Sequence, residues 1–345
     1  MNSIVQPLPI ALFLGYKTKV AGLILLMLVG FVYALISASS FPLSLSDVIH
    51  LITGQSGNPI HQHIITSIRL PRALVAMFAG MGLAVSGLIM QSLTRNALAS
   101  PSIFGVSAGA AFAFAFASTG LVPVLGKAPI LLVTFIGALT AGILVFFLAG
   151  LHQTKVNQIR VVLAGVALNF IFISLTRAAV IFADEHAYGV LHWLTGSVAN
   201  TGWKDVHLIV PVVVISLMLS GYLAFQLNLL RLGESMMQSI GGRLMLVRLL
   251  GSFIVVLLIA ACVSAAGPIG FVGLMVPHIS RYWVGYDIRK LIPITALLGG
   301  NLVIYADVVS RFIKHGQESP VGIVTTLLGA LFFLGLARHQ VRKSL

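Results

Sequence analysis

The chain has 345 residues, of which 58% are hydrophobic and only 8% charged, and its formal net charge is +13. A soluble domain carries about 25% charged residues, so no water-facing core could hide this much apolar surface and lipid must solvate much of the chain. The basic residues stand singly between apolar runs, without clusters or interleaved aromatics. That sets nucleic acid aside as a partner and reads as a membrane topology signal.

A helix needs about 20 apolar residues to cross the hydrocarbon core of a bilayer. The first candidate, Val20–Ile36, follows Lys17 and Lys19 and has no clean small-residue cleavage site after it, so it reads as a retained helix. Next come His61 and His63, flanking Gln62, then Arg69 and Arg72 in an Arg-Leu-Pro-Arg run, then the span Ala73–Leu93. The two histidines read either as metal ligands or, lacking a third ligand nearby, as a solvated loop. The arginines read as snorkelling anchors or as a cationic site for an acidic partner, which Arg311 would join.

Further spans are predicted at Ser102–Leu121, Ile130–Leu151, Val161–Phe182 and Leu208–Leu227. Gly105-Val106-Ser107-Ala108-Gly109 matches the pattern of a hydrolase nucleophile elbow, but it starts a membrane helix with no carboxylate near it in sequence, so small-residue packing explains it better. The stretch from Gly120 to Lys127 fails as a phosphate loop because Ala128 stands where a serine or threonine is required. No nucleotide site, catalytic residue or metal site is read from the chain, and any ATP belongs to another subunit. The segment 228–248 is the longest connection on its side. Its glycines at 233, 241 and 242 punctuate a short amphipathic helix, Glu234–Ile240, shaped to lie on the membrane face and dock a motor subunit.

The last four spans are Leu249–Ala266, Ile269–Val284, Leu291–Phe312 and Val321–Ala337. Cys262, the only cysteine, lies in the first of these as a packing residue and excludes an intrachain disulfide. Gly267-Pro268-Ile269-Gly270-Phe271 interrupts an apolar run with residues that weaken a helix. Neighbouring protein must satisfy the freed backbone there. His278 follows Pro277 as a packing or backbone-bonding residue. Asp307 is an acid inside an apolar run and stands four residues before Arg311, which permits a structural ion pair or a proton relay.

The expected fold is therefore an all-α polytopic membrane protein of about ten transmembrane helices, one domain over residues 1–345. With both termini cytoplasmic, lysines and arginines favour the inside two to one: Lys17, Lys19, Arg95, Lys155, Arg160, Arg231, Arg243, Arg248, Arg281, Arg289, Lys290, Arg338, Arg342 and Lys343 against Arg69, Arg72, Lys127, Arg177, Lys204, Arg311 and Lys314.

These blocks together resemble the permease family of bacterial iron–siderophore, haem and vitamin B12 ABC importers. The likeness is carried by Arg69–Arg72, Ser86-Gly87 with Gln91, Asn96–Pro101 leading into Gly105–Gly109, and Leu163–Leu168. It continues through Trp193–Ser197, Leu232-Gly233-Glu234, Gly267–His278, Ala306-Asp307 with Arg311, and Pro320-Val321-Gly322. The resemblance implies a ten-helix subunit in the bacterial cytoplasmic membrane, paired with an identical or related second permease subunit. Two cytoplasmic ATPases would bind the ATP, and a periplasmic or lipid-anchored binding protein would deliver the substrate. No cofactor of its own is implied. It further implies that Arg69, Arg72 and Arg311 meet acidic residues of the binding protein. Arg231, Leu232, Gly233, Glu234, Ser235, Ile240 and Gly241 would couple to the ATPase, and Asn96, Leu98, Gln158 and Ile159 would close the pathway on the cytoplasmic side. Ala97 departs from a proline that the family often has there. The expected activity is ATP-driven alternating access without covalent chemistry, with a ferric siderophore as first cargo and haem or vitamin B12 as alternatives. A secondary transporter using Asp307 as its coupling acid is the rival, and an intramembrane serine hydrolase using Ser107 the third reading.

Overall fold

The computed structural model describes residues 15–37, 43–54, 58–100, 105–122, 124, 128–150, 158–182, 187–313 and 319–344. Among them no strand occurs. The helices are α1 (Tyr16–Ile36), α2 (Leu45–Thr53), α3 (Pro59–Ile64), α4 (Leu70–Leu93), α5 (Val106–Ser118), α6 (Ile130–Leu148) and α7 (Gln158–Phe182). They continue as α8 (Ala187–Leu194), α9 (Trp203–Leu230), α10 (Glu234–Ser239), α11 (Leu244–Ala266), α12 (Val272–Val284), α13 (Ile288–Ile313) and α14 (Val321–Ser344). A π-helical turn, Ile65–Arg69, joins α3 to α4 as one rod of 35 residues.

Each apolar run read from the sequence contains a helix. Seven of the described helices are long and apolar enough to cross a membrane, and Val106–Ser118 and Val321–Leu336 are shorter apolar helices. The span expected at Ile269–Val284 begins later, at Val272, and has 13 residues, about 20 Å of helix against a hydrocarbon core of about 30 Å. Three helices escaped the hydropathy reading. Short α2, α3 and α8 are too small or too mixed to register as spans, although α2 shows its own start signal in the Ser44–Asp47 capping box.

α4 is the axle of the bundle. It packs against α13, α11, α9 and α12, and nearly all of Pro71–Ser92 is buried. Close helix contact in lipid requires small residues. A Cβ placed on Gly80 would lie 2.1 Å from the Gly299 carbonyl oxygen, and one on Gly87 would lie 1.8 Å from that of Gly273. The second contact sets where α12 begins: beside the second half of α4, well inside the bundle.

That position explains the broken Gly267–Phe271 stretch. Gly267 (φ 68°) ends α11, and Phe271, with a left-handed φ of 65°, starts α12. Two other motif loops pack around the bridge, one bonded to its start and the other to that loop. Ser197 N–H donates to the Ala266 carbonyl at 2.8 Å, and Gly322 N–H donates to that of Gly196 at 3.0 Å. Non-helical backbone at membrane depth is tolerated where protein satisfies it; here the Trp193–Ser197 loop bonds the end of α11 and is itself held by Gly322. The three motifs, remote in sequence, form one packed junction.

Other sequence expectations resolve locally. Gly105 (φ 63°) caps the start of α5, and Ser107 lies inside that helix as its second residue, followed by small, closely packed ones. Cys262 is fully buried. His278 stacks edge-on against Phe332, with ring centroids 5.8 Å apart, which makes it a packing residue.

Candidate functional site

Charged side chains gather at the two ends of the bundle. At the first end lie the start of α4 and the ends of α1 and α13. Arg69, Arg72 and Arg311 are brought together there, but inside the protein, with exposures of only 5%, 3% and 8%. Asp307, 1% exposed, sits between two of them. Arg72 donates to its Oδ1 from Nε at 3.1 Å and from Nη2 at 2.8 Å, and Arg311 Nη2 donates to its Oδ2. Arg311 Nη1 also reaches the Ala34 carbonyl and Ser37 Oγ, while Arg69 Nη1 donates to the Ser37 carbonyl at 2.7 Å. The end of α1 is thereby bound to the cluster. The π-turn supplies Arg69 and the next helical turn supplies Arg72, so both face the same way.

Asp307 thus forms the structural ion pair that its spacing to Arg311 permits, and adds Arg72 to it. Both of its carboxylate oxygens are occupied. Burying such charges costs several kcal/mol per ion, offset only where geometry and hydrogen bonds are good, and the bidentate Arg72 contact meets that condition.

Outside this cluster, His61 Nδ1 pairs with Asp47 Oδ1 at 3.0 Å, tying α3 to α2. Hydrogen bonds from His61 and Ser44 hold the Asp47 carboxyl down at about 2. His63 hydrogen-bonds weakly with Ser67 instead. Among the described residues no group of three or more His, Cys, Asp or Glu side chains could hold a metal.

At the opposite end, α10 lies between α9 and α11. Met237 is fully buried and anchors it, while Leu232, Met236 and Ile240 are exposed at 62%, 53% and 50%. Ser235 and Gly241 are also exposed. Arg231 is exposed at the same end and leans on the neighbouring turn. Its guanidinium lies 4.8 Å from the Tyr286 ring centroid and donates to the Tyr286 carbonyl, in the turn between α12 and α13. Asn228 braces the same turn by donating to Asp287 Oδ1 at 2.7 Å and accepting from Ile288 N–H at 2.9 Å. The Asn228 bond, with cationic Arg289 and Lys290 nearby, holds the Asp287 carboxyl below its ordinary range.

Glu234 takes two arginines, Arg95 at 2.9 Å and Arg248 at 2.8 Å. Arg95 opens the loop that carries Asn96 and Leu98. Both of those are exposed, and Asn96 Oδ1 accepts from Leu98 N–H at 2.9 Å. This Asx turn bends the loop without the proline that Ala97 replaces. Gln158 and Ile159 open α7, but their side chains lie outside the described residues. At the same end Arg160 Nε donates to the Leu148 carbonyl at 3.1 Å.

Sequence reasoning missed Ser37, Arg95 and Arg248 as partners in these clusters. No spacing rule would reveal Arg95 and Glu234 as neighbours, because 139 positions separate them.

The profile of the FecCD transport family matches residues 25–339. The Fe(3+) dicitrate transport system permease protein FecC of Escherichia coli is 37% identical over 318 residues, 91% of this chain and 95% of that protein. The Fe(3+)-citrate import system permease protein YfmD of Bacillus subtilis is 38% identical over 317 residues, again 91% of this chain and 93% of the relative. A solved structure described as an inward-facing metal-chelate type ABC transporter superposes with a TM-score of 0.82 at 29% identity, covering 94% of this chain and 99% of that one. The chain belongs to the FecCD transport family and is a multi-pass membrane permease subunit of an ABC importer.

Proposed function

We propose that this subunit carries a ferric chelate of the citrate or siderophore class inward across a bacterial cytoplasmic membrane. The observation that carries the reading is the division of charge. A buried cluster of three arginines around Asp307 occupies one end of an apolar bundle, and a short helix with an exposed apolar face occupies the other. The first end faces outward in this reading, and its field attracts the acidic lobes of a substrate-binding protein, periplasmic or lipid-anchored. Because the guanidinium groups of Arg69, Arg72 and Arg311 are buried in the chain alone, they act on that partner through their field while staying in the cluster. Leu232, Met236 and Ile240 at the second end seat an ATPase subunit, which binds the ATP. The bundle crosses the membrane ten times and its two described ends are cytoplasmic. A second permease subunit completes the pathway, and Asn96, Leu98, Gln158 and Ile159 line its inner closure. Neither metal nor cofactor of its own is required, since the iron is cargo.

The rival, an ion-coupled transporter using Asp307, is disfavoured because both carboxylate oxygens are already bonded to arginines. Reconstitution tests the proposal. The permease, with its candidate ATPase and binding protein, is placed in proteoliposomes and uptake of radiolabelled ferric citrate is followed. ATP-dependent uptake that survives collapse of the proton and sodium gradients is the expected result. Gradient-dependent uptake that ignores ATP would refute it.

A further inference from the structure

Glu234 is the first residue of α10 and follows Gly233, whose φ of 113° only glycine adopts easily. Its carboxylate is divided between two elements, Oε1 to Arg95 Nη2 and Oε2 to Arg248 Nη2. Arg248 is 7% exposed at its side chain and sits in the first turns of α11. Arg95 immediately precedes Asn96 and has a left-handed φ of 50°. That conformation is strained for a residue with a Cβ, and such strain persists where surrounding contacts impose it. The Glu234 bond is one such contact. It fixes Arg95 at the point where the chain leaves α4 for the turn made by Asn96 and Leu98. The opposite side of the same helix end is also braced, because Gln91 Oε1 accepts from Arg281 Nη2 of α12 at 2.6 Å.

We infer that Glu234 is a positioning residue that transmits movement of α10 to the Asn96–Leu98 loop through Arg95, with Arg248 as its fixed support on α11. The inference rests on the proposed seating of the ATPase on α10 and deepens it by naming the link from motor to closure. The pair is suited to signalling more than to stability. Glu234 and Arg95 are about one-third exposed at 34% and 36%, and ion pairs of that exposure contribute little to folding. An ionic contact can therefore break and re-form during each cycle without unfolding its surroundings.

The test uses the assembled transporter in proteoliposomes. Cys262 is fully buried, so Leu98→Cys, at a position 62% exposed, supplies one reactive thiol on the loop. Its labelling rate by a maleimide is compared with and without ATP, alongside uptake and ATP hydrolysis. In the Leu98→Cys parent, ATP should change the rate. Adding Arg95→Asn, which removes the charge with a residue that tolerates positive φ, should abolish that change and lower uptake per ATP hydrolysed by about tenfold, within the range of ordinary coupling energies. Glu234→Gln should act in the same direction, the double variant should be no worse than the more impaired single one, and Arg95→Lys should restore part of the response. A response preserved in both Arg95→Asn and Glu234→Gln overturns the link alone. A parent that shows no response to ATP overturns the assignment of the loop to the closure and the link with it.

Discussion

Replacing Asp307 by asparagine keeps the shape of the side chain and removes its charge from between Arg72 and Arg311. Three hydrogen bonds from guanidinium groups end on this carboxylate, and it is 1% exposed, with Arg72 at 3% and Arg311 at 8%. Water therefore cannot take its place. Breaking a buried pair by removing one partner costs about 3–5 kcal/mol. Unfolding entropy of about 2.1 cal/mol/K per residue, over a chain of this length, converts that cost to a fall in melting temperature of about 4–7 °C. Thermal unfolding of the purified subunit in detergent, followed by intrinsic fluorescence, measures it. Arg95→Asn breaks a half-exposed pair of about 0–1 kcal/mol and serves as the control. A triple variant, Arg72→Met with Asp307→Leu and Arg311→Met, should recover much of the loss, because apolar replacement of a whole buried ionic group is often neutral or stabilising. An Asp307→Asn protein that melts within about 1 °C of its parent would show that the cluster is not the internal brace described.

Further outcomes follow from the packing and the charges. Gly87→Ala places a Cβ 1.8 Å from the Gly273 carbonyl oxygen, which forces α12 away from α4 and should cost more than the usual 1–3 kcal/mol of overpacking, read as loss of folded protein on size-exclusion chromatography. Gly221→Ala, where nothing lies within 4 Å of the added atom, should leave the elution profile unchanged. Asn228→Ala removes the brace of the α12–α13 turn, and hydrogen exchange at Asp287–Lys290 should rise while exchange in α4 stays the same. The Asp47–His61 contact has a defined pH window. Because the Asp47 carboxyl is held at about 2 against an ordinary 3.8, its stabilising effect is complete above about 4 and disappears as pH falls toward 2. Limited proteolysis of α2 should accelerate over that interval, and Asp47→Asn should abolish the pH step.

The fold class was legible because hydropathy acts over whole spans, and each of the ten apolar runs does contain a helix. Boundaries were less legible where glycine and proline act through neighbours. The delayed start of α12 depends on Gly87 meeting Gly273 and on two loops about 70 and 50 positions away from Gly267, none of which hydropathy records. The motif residues at the two ends stood out in the sequence because arginine on the expected outer side and a glycine-punctuated amphipathic segment are unusual locally. Their state was not found. Burial of Arg69, Arg72 and Arg311 depends on Asp307 and on the end of α1, and sequence periodicity carries no information on contacts of that range.

The two charged clusters use similar residues for opposite purposes, and their exposure tells them apart. Asp307 and its arginines are sealed, so separating them costs several kcal/mol, which suits a fixed brace that keeps α1, α4 and α13 together while the rest of the bundle moves. Glu234 and Arg95 are about one-third open to water and pair across a contact worth about 1 kcal/mol or less, close to thermal energy and easily exchanged. A transporter driven from one end needs both kinds of contact. In the proposed mechanism the anchored end resists the load and the driven end yields to it. α4 spans the distance between them, with Arg72 at its beginning and Arg95 just past its end. A push on α10 that reaches Arg95 therefore acts on the end of a helix whose other end is pinned, and the response expected of such a helix is tilting about Arg72 instead of sliding along its axis.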